Sequence, residues 1–531
     1  MRNLILIATV FLLTSAISLA GEESDEFIRR KIENSHFKAI TAFGEPVYCM
    51  QTLSQFYTNR SFETAWNPHT TVQLITSIQH AYLEGLNPSD YHLQQLLELT
   101  VNQPKTELAK AEHDLLLTDA FLLYTSHLLS GKVNPQTIDA EWHVTRREGD
   151  PVELLQQALS TGEVIAAIQT ALPNHAVYKN LKGALQAYQR LSAATWTTIN
   201  NGTMIKKGME DQRLSTISER LIILGDLKDS NANENISYDD KLIAAVQQFQ
   251  ARHGLENEGN IGPQTIGALN VSIQERIEQI EANMERWRWL PREFGTYYIL
   301  VNIANFELDV IKNGELVLTR KVITGKSYRR TPVFSARMQY LVLNPTWTIP
   351  PGILNSDILP AVRKDPSYLE KKKLTVLDHE GKIIDPSGVD WNGKAARSYT
   401  YRQPPGPDNA LGEVKFMFPN KYHVYLHDTP SKELFGKSER ALSSGCIRVH
   451  EPLSLAEYLL NDPQNWNRQK IDKVISTQKT QTVQLKEQPN VHLLYWTAWT
   501  DTNGIINFRK DIYERDKPLI EQLKVKAPMQ K

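Results

Sequence analysis

The sequence predicts a multidomain α+β protein, and three observations carry that reading. The chain has 531 residues, which at about 100–200 residues per domain corresponds to three or four domains. Residues 24–200 read as helices punctuated by proline. From residue 296 the texture changes to alternating β-branched and polar residues, with turn signals at Asn313-Gly314 and Gly325. Hydrophobic residues make up 41% and charged residues 22%, values that exclude a mostly disordered or collagen-like chain. Lys and Arg number 59 against 60 Asp and Glu, so no basic excess points to nucleic acid. The two cysteines, Cys49 and Cys446, exclude a disulfide-dense scaffold and any Cys-rich metal module.

Taken in order, residues 1–20 (MRNLILIATVFLLTSAISLA) read as a secretory signal peptide. Arg2 gives a positive start, residues 4–16 are mostly apolar, and Ser18 and Ala20 are the small residues before a cut after Ala20. The apolar run is shorter than the ~20 residues of a spanning helix, and the residue after the cut is Gly21, not the cysteine a lipid anchor needs. The expectation is an exported protein with no stable membrane span after cleavage. Such a compartment is oxidising, which suits sparse cysteine use.

Residues 21–205 are expected to form a helical scaffold. HDLLLTDAFLLYTSHLLSGKVNP (113–135) has apolar residues at 115–117, 121–123, 128 and 129, the pattern of a buried helix closed by Gly131 and Pro135. Further helices are expected over 71–84, 151–159 and 177–194. No cluster of acid, base and nucleophile types lies in this region. In residues 206–275 a helical stripe of Leu242, Ala245, Val246, Phe249 and Leu255 is combined with turn signals at Gly254, Gly259 and Gly262 and a short helix over 265–269. Residues 296–480 are expected to be β-rich, interrupted at about 351–412 by a stretch rich in Pro, Gly, Asp and Lys with short helical pieces. Residues 481–531 are expected to pack on the scaffold and the β-rich domain.

The segment 414–452 concentrates the chemistry. His427 ends a predicted strand, and Cys446 follows within S-S-G-C-I-R-V. A thiol attacks carbonyls as the thiolate, so it needs a base or a depressed pKa, and His427 is the nearest base. Gly445 lets backbone approach a bound carbonyl, and N–H groups around 445 and 446 are oxyanion-hole candidates. On a strand, Tyr425 faces the same side as His427. Cys49, in PVYCM, reads as a packing residue, with a Cys49–Cys446 disulfide as the competing reading. His423, His427 and His450 do not suggest a metal, because residues four apart on a strand are roughly 13 Å apart.

Two resemblances sharpen this. A-V-x-x-F-Q-x-x-H-G-L-x-x-x-G-x-I-G-x-x-T-x-x-A-L resembles the small three-helix peptidoglycan-binding domain. H-D-T-P with S-S-G-C-I-R-V resembles the YkuD-type L,D-transpeptidases. NPTWTIP, DPSYLEKKKL, QPPGPDNALGEVKFMFPN, RALSSGCIRVHEP, YWTAW and FRKDIYERD look like the large periplasmic enzymes of the YcbB type. That family implies a helical scaffold, a peptidoglycan-binding domain and a β-rich catalytic domain with an inserted capping lobe. It implies Cys446 as nucleophile and His427 as general acid/base, with Ser443 and Gly445 lining the nucleophile turn and Arg448 and Tyr425 as supports. A backbone carbonyl beside Asp428 is the expected third element, Asp428 itself being either that or a turn carboxylate. Arg448 reads equally as a structural brace. Trp347, Tyr401 and Asn409 are groove candidates or core packing. The family further implies peptidoglycan stem peptides as substrates, 3→3 crosslinks as products, carbapenem-type β-lactams as covalent inhibitors, a periplasmic, wall-associated location with a role in cell shape, and no metal or cofactor. L,D-carboxypeptidase, protein-to-wall anchoring and a non-catalytic wall-binding scaffold remain as alternatives.

Overall fold

The structure is a computed structural model that describes residues 24–35, 40–228 and 237–526. The predicted signal peptide lies outside the described residues. No helix among the described residues is long and apolar enough to cross a membrane.

The scaffold is built around one long helix. Helices α1 (Met50–Asn59), α2 (Pro68–Gln79) and α3 (Leu93–Val101) precede α4 (Glu107–Ser130), and α5 (Pro151–Thr161), α6 (Val164–Thr170) and α7 (Ala176–Arg190) follow it. α4 starts earlier than its apolar run because Thr106 caps it, accepting from the Ala109 N–H. It is buried on nearly every side, so its own buried carboxylates need partners. Asp114 accepts from the backbone of Ala65 and Trp66 and from the Tyr57 hydroxyl. Asp119 accepts from the N–H groups of Tyr48 and Cys49. The helix expected over 71–84 stops at Gln79. A separate 3-10 turn, Ala81–Glu84, follows, and Gly85 closes it at φ +67°.

Helices α8 (Arg213–Ile223), α9 (Asp240–Arg252) and α10 (Pro263–Asn270) form a small three-helix unit. Its separate core includes Leu221, Val246, Phe249 and Leu269. Gln250 fixes its glycine turn, donating to the Asn260 carbonyl and accepting from the Gly259 N–H. The next helix, α11 (Ile273–Arg288), is capped by Ser272 and Glu275 in a reciprocal box. Its last seven residues are all buried. It joins scaffold, three-helix unit and sheet.

The β-rich region holds β1 (Tyr297–Asn302), β2 (Glu307–Lys312), β3 (Glu315–Gly325), β4 (Phe334–Arg337), β5 (Tyr340–Leu343), β6 (Trp347–Thr348), β7 (Thr375–Leu377), β8 (Thr400–Gln403), β9 (Val414–Met417), β10 (Leu426–His427), β11 (Ala441–Ser443) and β12 (Ile447–Val449). Helices α12 (Pro452–Leu460) and α13 (Arg468–Ser476) follow, then β13 (Gln481–Gln484), β14 (Asn490–Leu494), β15 (Ala498–Thr500), β16 (Ile506–Phe508) and α14 (Asp516–Lys524). The main sheet has 11 strands, in the order β13-β5-β9-β10-β12-β3-β2-β1-β14-β4, with β11 paired to β3.

Two boundaries differ from expectation. The inserted lobe has its own sheet, β6-β8-β7, and its own core of Leu354, Leu359, Val362, Leu369, Val376 and Tyr401. It therefore begins at Trp347 rather than 351, and its last strand ends at Gln403. The C-terminal segment does more than pack on other domains. β13 lies against β5, and β14 lies between β1 and β4, so the sheet runs past residue 480. The open ladder groups of β1 and β4 take the buried NVHLL strand. Scaffold and sheet are also joined directly: the His143 N–H donates to the Val333 carbonyl and the Val333 N–H to the Glu141 carbonyl, at 2.7 and 2.9 Å.

Candidate active site

Three neighbouring strands build the site. In β9, β10 and β12, Lys415 pairs with His427 and His427 with Arg448. Directly paired residues share a face of the sheet, so a lysine, a histidine and an arginine stand side by side. Cys446 immediately precedes β12, and Tyr425 immediately precedes β10. The Tyr425 and His427 rings are in edge contact, with centroids 5.7 Å apart.

The turn that carries Cys446 is held from within. The Ser443 hydroxyl donates to the Cys446 carbonyl at 2.5 Å and accepts from the Gly445 N–H at 3.1 Å. The Thr331 hydroxyl donates to the Gly445 carbonyl at 2.9 Å. Gly445 sits at φ +114°, a conformation open to glycine and strained for other residues. The Gly445 N–H, an oxyanion-hole candidate, is engaged by Ser443 in this structure. The Cys446 N–H has no hydrogen-bond partner among the described residues and is left as the backbone donor at that position.

His427 is buried, and its Nδ1 lies 2.5 Å from the carbonyl of Asp428. A carbonyl only accepts, so Nδ1 carries the proton and Nε2 is left as a base. The third element expected beside Asp428 is thus Asp428's own backbone. Its carboxylate is occupied elsewhere, accepting from the Glu413 N–H at 2.9 Å and pairing with Lys432, as a turn-bracing group would.

Burial pushes the His427 imidazole down to about 3, and the cations of Arg448 and Lys415 add to that shift. Burial pushes the Cys446 thiol up, opposed by hydrogen bonding from Tyr425. The resting pair is therefore a neutral thiol and a neutral imidazole. The thiol's hydrogen bond runs to the His423 carbonyl, at 3.7 Å.

A folded-state pKa near 3 has a testable sign. Above pH 6.5 neither the folded nor the unfolded His427 is protonated. As pH falls from 6.5 towards 3 only the unfolded state takes up the proton, so stability declines across that window. Within the folded chain the His427 imidazole stays unprotonated over that window. The rate of any reaction in which His427 accepts a proton is expected to show no limb near pH 6.5 between pH 5 and 7. An acid limb there that disappears in His427→Gln would contradict the assignment.

The other predicted residues divide. Arg448 is half-buried, with a buried Nε that meets no acceptor. Tyr401 is core packing: it is buried in the lobe, its hydroxyl donating to the Ala396 carbonyl at 2.7 Å. Trp347 packs against the same core. Asn409 braces the return from the lobe, donating to the carbonyls of Pro345 and Pro404. Cys49 is buried, and both cysteines are free, so the disulfide reading is corrected.

Two residues of the site escape the sequence reading. Lys415 reaches the site only through its register with His427, and no motif marks it. Arg329 pairs with both carboxylate oxygens of Asp357 in the lobe (2.6 and 2.7 Å) and donates to the Ser444 hydroxyl at 2.9 Å. One side chain therefore ties the lobe to the nucleophile turn.

Comparison with known proteins places these features in a class. Residues 296–475 match the L,D-transpeptidase catalytic domain, residues 210–269 the "Putative peptidoglycan binding domain", and residues 51–185 the scaffold domain. A "Putative L,D-transpeptidase" of Haemophilus influenzae is 35% identical over 286 residues, 52% of this chain and 58% of that protein. The match thus spans just over half of that relative's length. Among solved structures, an L,D-transpeptidase from Xylanimonas cellulosilytica aligns at 13% identity with a TM-score of 0.18, over 56% of this chain and 99% of that one. Another from Stackebrandtia nassauensis aligns at 14% identity with a TM-score of 0.21, over 57% and 97%.

Proposed function

We propose that this chain is an exported, wall-associated L,D-transpeptidase that forms 3→3 peptidoglycan crosslinks through a Cys446 thioester. The observation that carries the reading is that the register of β10 and β12 sets Cys446 beside the strand of His427, whose Nδ1 is held by the Asp428 carbonyl, inside a matched catalytic domain. Cys446 Sγ attacks the L-centre carbonyl of the diamino acid at stem position three. Because thiol and imidazole both rest neutral, His427 Nε2 takes the thiol proton during the attack. The carbon–nitrogen bond to the terminal D-alanine breaks, and Nε2 returns the proton to the departing amine. A side-chain amine of a neighbouring stem then attacks the thioester carbonyl and gives its proton to Nε2, the carbon–sulfur bond breaks, and Nε2 returns the proton to Cys446 Sγ. The Cys446 N–H is the donor for the oxyanion. Peptidoglycan stems are the substrates, and the three-helix unit holds the enzyme on the wall.

Intact-protein mass spectrometry tests this. A disaccharide-tetrapeptide should add the mass of the acyl group and release D-alanine, and a meropenem-like carbapenem should acylate the same cysteine. Pelleting with sacculi without either adduct would instead favour a non-catalytic wall-binding scaffold. Hydrolysis or transfer to a protein amine shares the thioester, so product analysis with and without acceptor stems separates L,D-carboxypeptidase and anchoring activities.

The lobe has a defined part in this scheme, because water competes with the acceptor amine for the thioester. Asp357→Ala removes the partner of Arg329 at the nucleophile turn. It is expected to raise the ratio of hydrolysed to crosslinked product severalfold while the stability of the helical scaffold stays unchanged. An unaltered ratio would separate the Arg329–Asp357 contact from water exclusion.

A further inference from the structure

The site holds more positive charge than its base and nucleophile need. The Lys415 ammonium lies 4.2 Å from the centroid of the Tyr425 ring and has no ion pair or hydrogen bond among the described residues. Arg448 likewise makes none, and its Nε is buried without an acceptor. The carboxylate next to His427 in sequence, that of Asp428, is taken by Lys432 and the Glu413 N–H. Both cations act on the reacting groups, disfavouring a charged His427 and interacting with a Cys446 thiolate. Burying two like charges beside a base is unfavourable unless an anion joins them. Paired register keeps them on one face, one on each side of His427.

We infer that Lys415 and Arg448 form a carboxylate receptor that binds the C-terminal carboxylate of the donor stem peptide. This rests on the transpeptidase reading above. In such a donor the departing residue carries its carboxylate on the carbon next to the scissile nitrogen. Only the N–Cα and Cα–C bonds, about 1.5 Å each, separate that nitrogen from the carboxylate carbon. A donor whose carbonyl sits at Cys446 therefore has its anion within reach of cations flanking His427. Arg448 offers a planar fork of donors and Lys415 a point charge, a combination suited to one carboxylate. These are positioning residues for the leaving group, and the receptor selects donors that end in a free acid one residue beyond the scissile bond.

The test compares three synthetic tetrapeptide donors on the full-length protein: the free acid, the C-terminal amide, and a donor amidated instead at the side-chain carboxylate of the diamino acid. The readout is kcat/KM for acyl-enzyme formation, with neutral iodoacetamide reporting an intact, reactive Cys446 in every variant. The wild type is expected to prefer the free acid over the C-terminal amide by tenfold or more. That ratio should collapse towards one in Lys415→Met and in Arg448→Gln, and Arg448→Lys should restore part of it. Equal wild-type rates on acid and C-terminal amide would overturn the proposal, and this arm needs no variant. Discrimination only against the side-chain amide would overturn the assignment to the C-terminal carboxylate. A uniform loss on all donors in both variants would mark a structural role and overturn it as well. Absence of any adduct in the wild type would instead remove the transpeptidase reading, and the receptor with it.

Discussion

Cys446→Ala is expected to abolish acyl-enzyme formation and crosslinking, a loss of at least about 10³-fold, as for removal of other covalent nucleophiles. The fold should survive. Cys446 is partly exposed in the turn before β12, and the turn is held by Ser443 and Thr331 rather than by the thiol. Loss of one sulfur at such a position costs on the order of 0.5 kcal/mol. His427→Gln separates the two roles. It keeps an alkylatable thiol and loses the Nε2 base, a factor of about 10²–10⁴. Intact mass with a tetrapeptide donor reads both variants. A mass adduct on the Cys446→Ala protein would place the nucleophile elsewhere.

Glu285→Ala is expected to destabilise the protein by about 3–5 kcal/mol, the range for stripping one partner from a buried ion pair. Glu285 and Arg288 are both fully buried on α11 and pair at 2.7 Å. Glu285 also accepts from the Val133 N–H at 2.7 Å, and Arg288 reaches the Tyr178 hydroxyl at 3.1 Å and the Glu84 carbonyl. The pair therefore ties the linking helix to the scaffold. Around it the packing leaves no room: a Cβ on Gly131 would lie 2.7 Å from Glu285 Oε1 and 2.5 Å from the Trp289 ring nitrogen. Replacing both partners at once, by Glu285→Leu with Arg288→Met, should recover much of the loss. Urea unfolding of the single and double variants measures this. A double variant less stable than Glu285→Ala would show that Arg288 is satisfied without the carboxylate.

The sequence carried the local features well because their causes are local. α4 is legible in its apolar run, and its end is legible in Gly131. The glycine turns of the three-helix unit and the strand ending at His427 follow from residue types within a short window. Cys446 is legible because Gly445 and the flanking serines leave it few other roles, and because only one other cysteine competes for the part. Cys49 is legible as packing for the same reason.

Other features depend on which strand lies beside which. β14 completes the sheet because β1 and β4 leave a gap, and nothing within NVHLL states its partners. Lys415 becomes a site residue only by pairing with His427. The Gly445 N–H is engaged by a hydroxyl two residues away, a contact that no sequence pattern states. α11 becomes the junction of three units because Arg288, Glu285 and Arg286 find partners distant in sequence, a placement that its polar composition argues against. Periodicity, capping and turn chemistry act over a few residues, so the amino-acid order alone marks most elements and singles out Cys446 and His427 as candidates. Register, burial of charge and the wiring of backbone donors arise from contacts between distant segments, so only the folded chain decided the lobe latch, the proton position on His427 and the two cations beside His427 that are unpaired among the described residues.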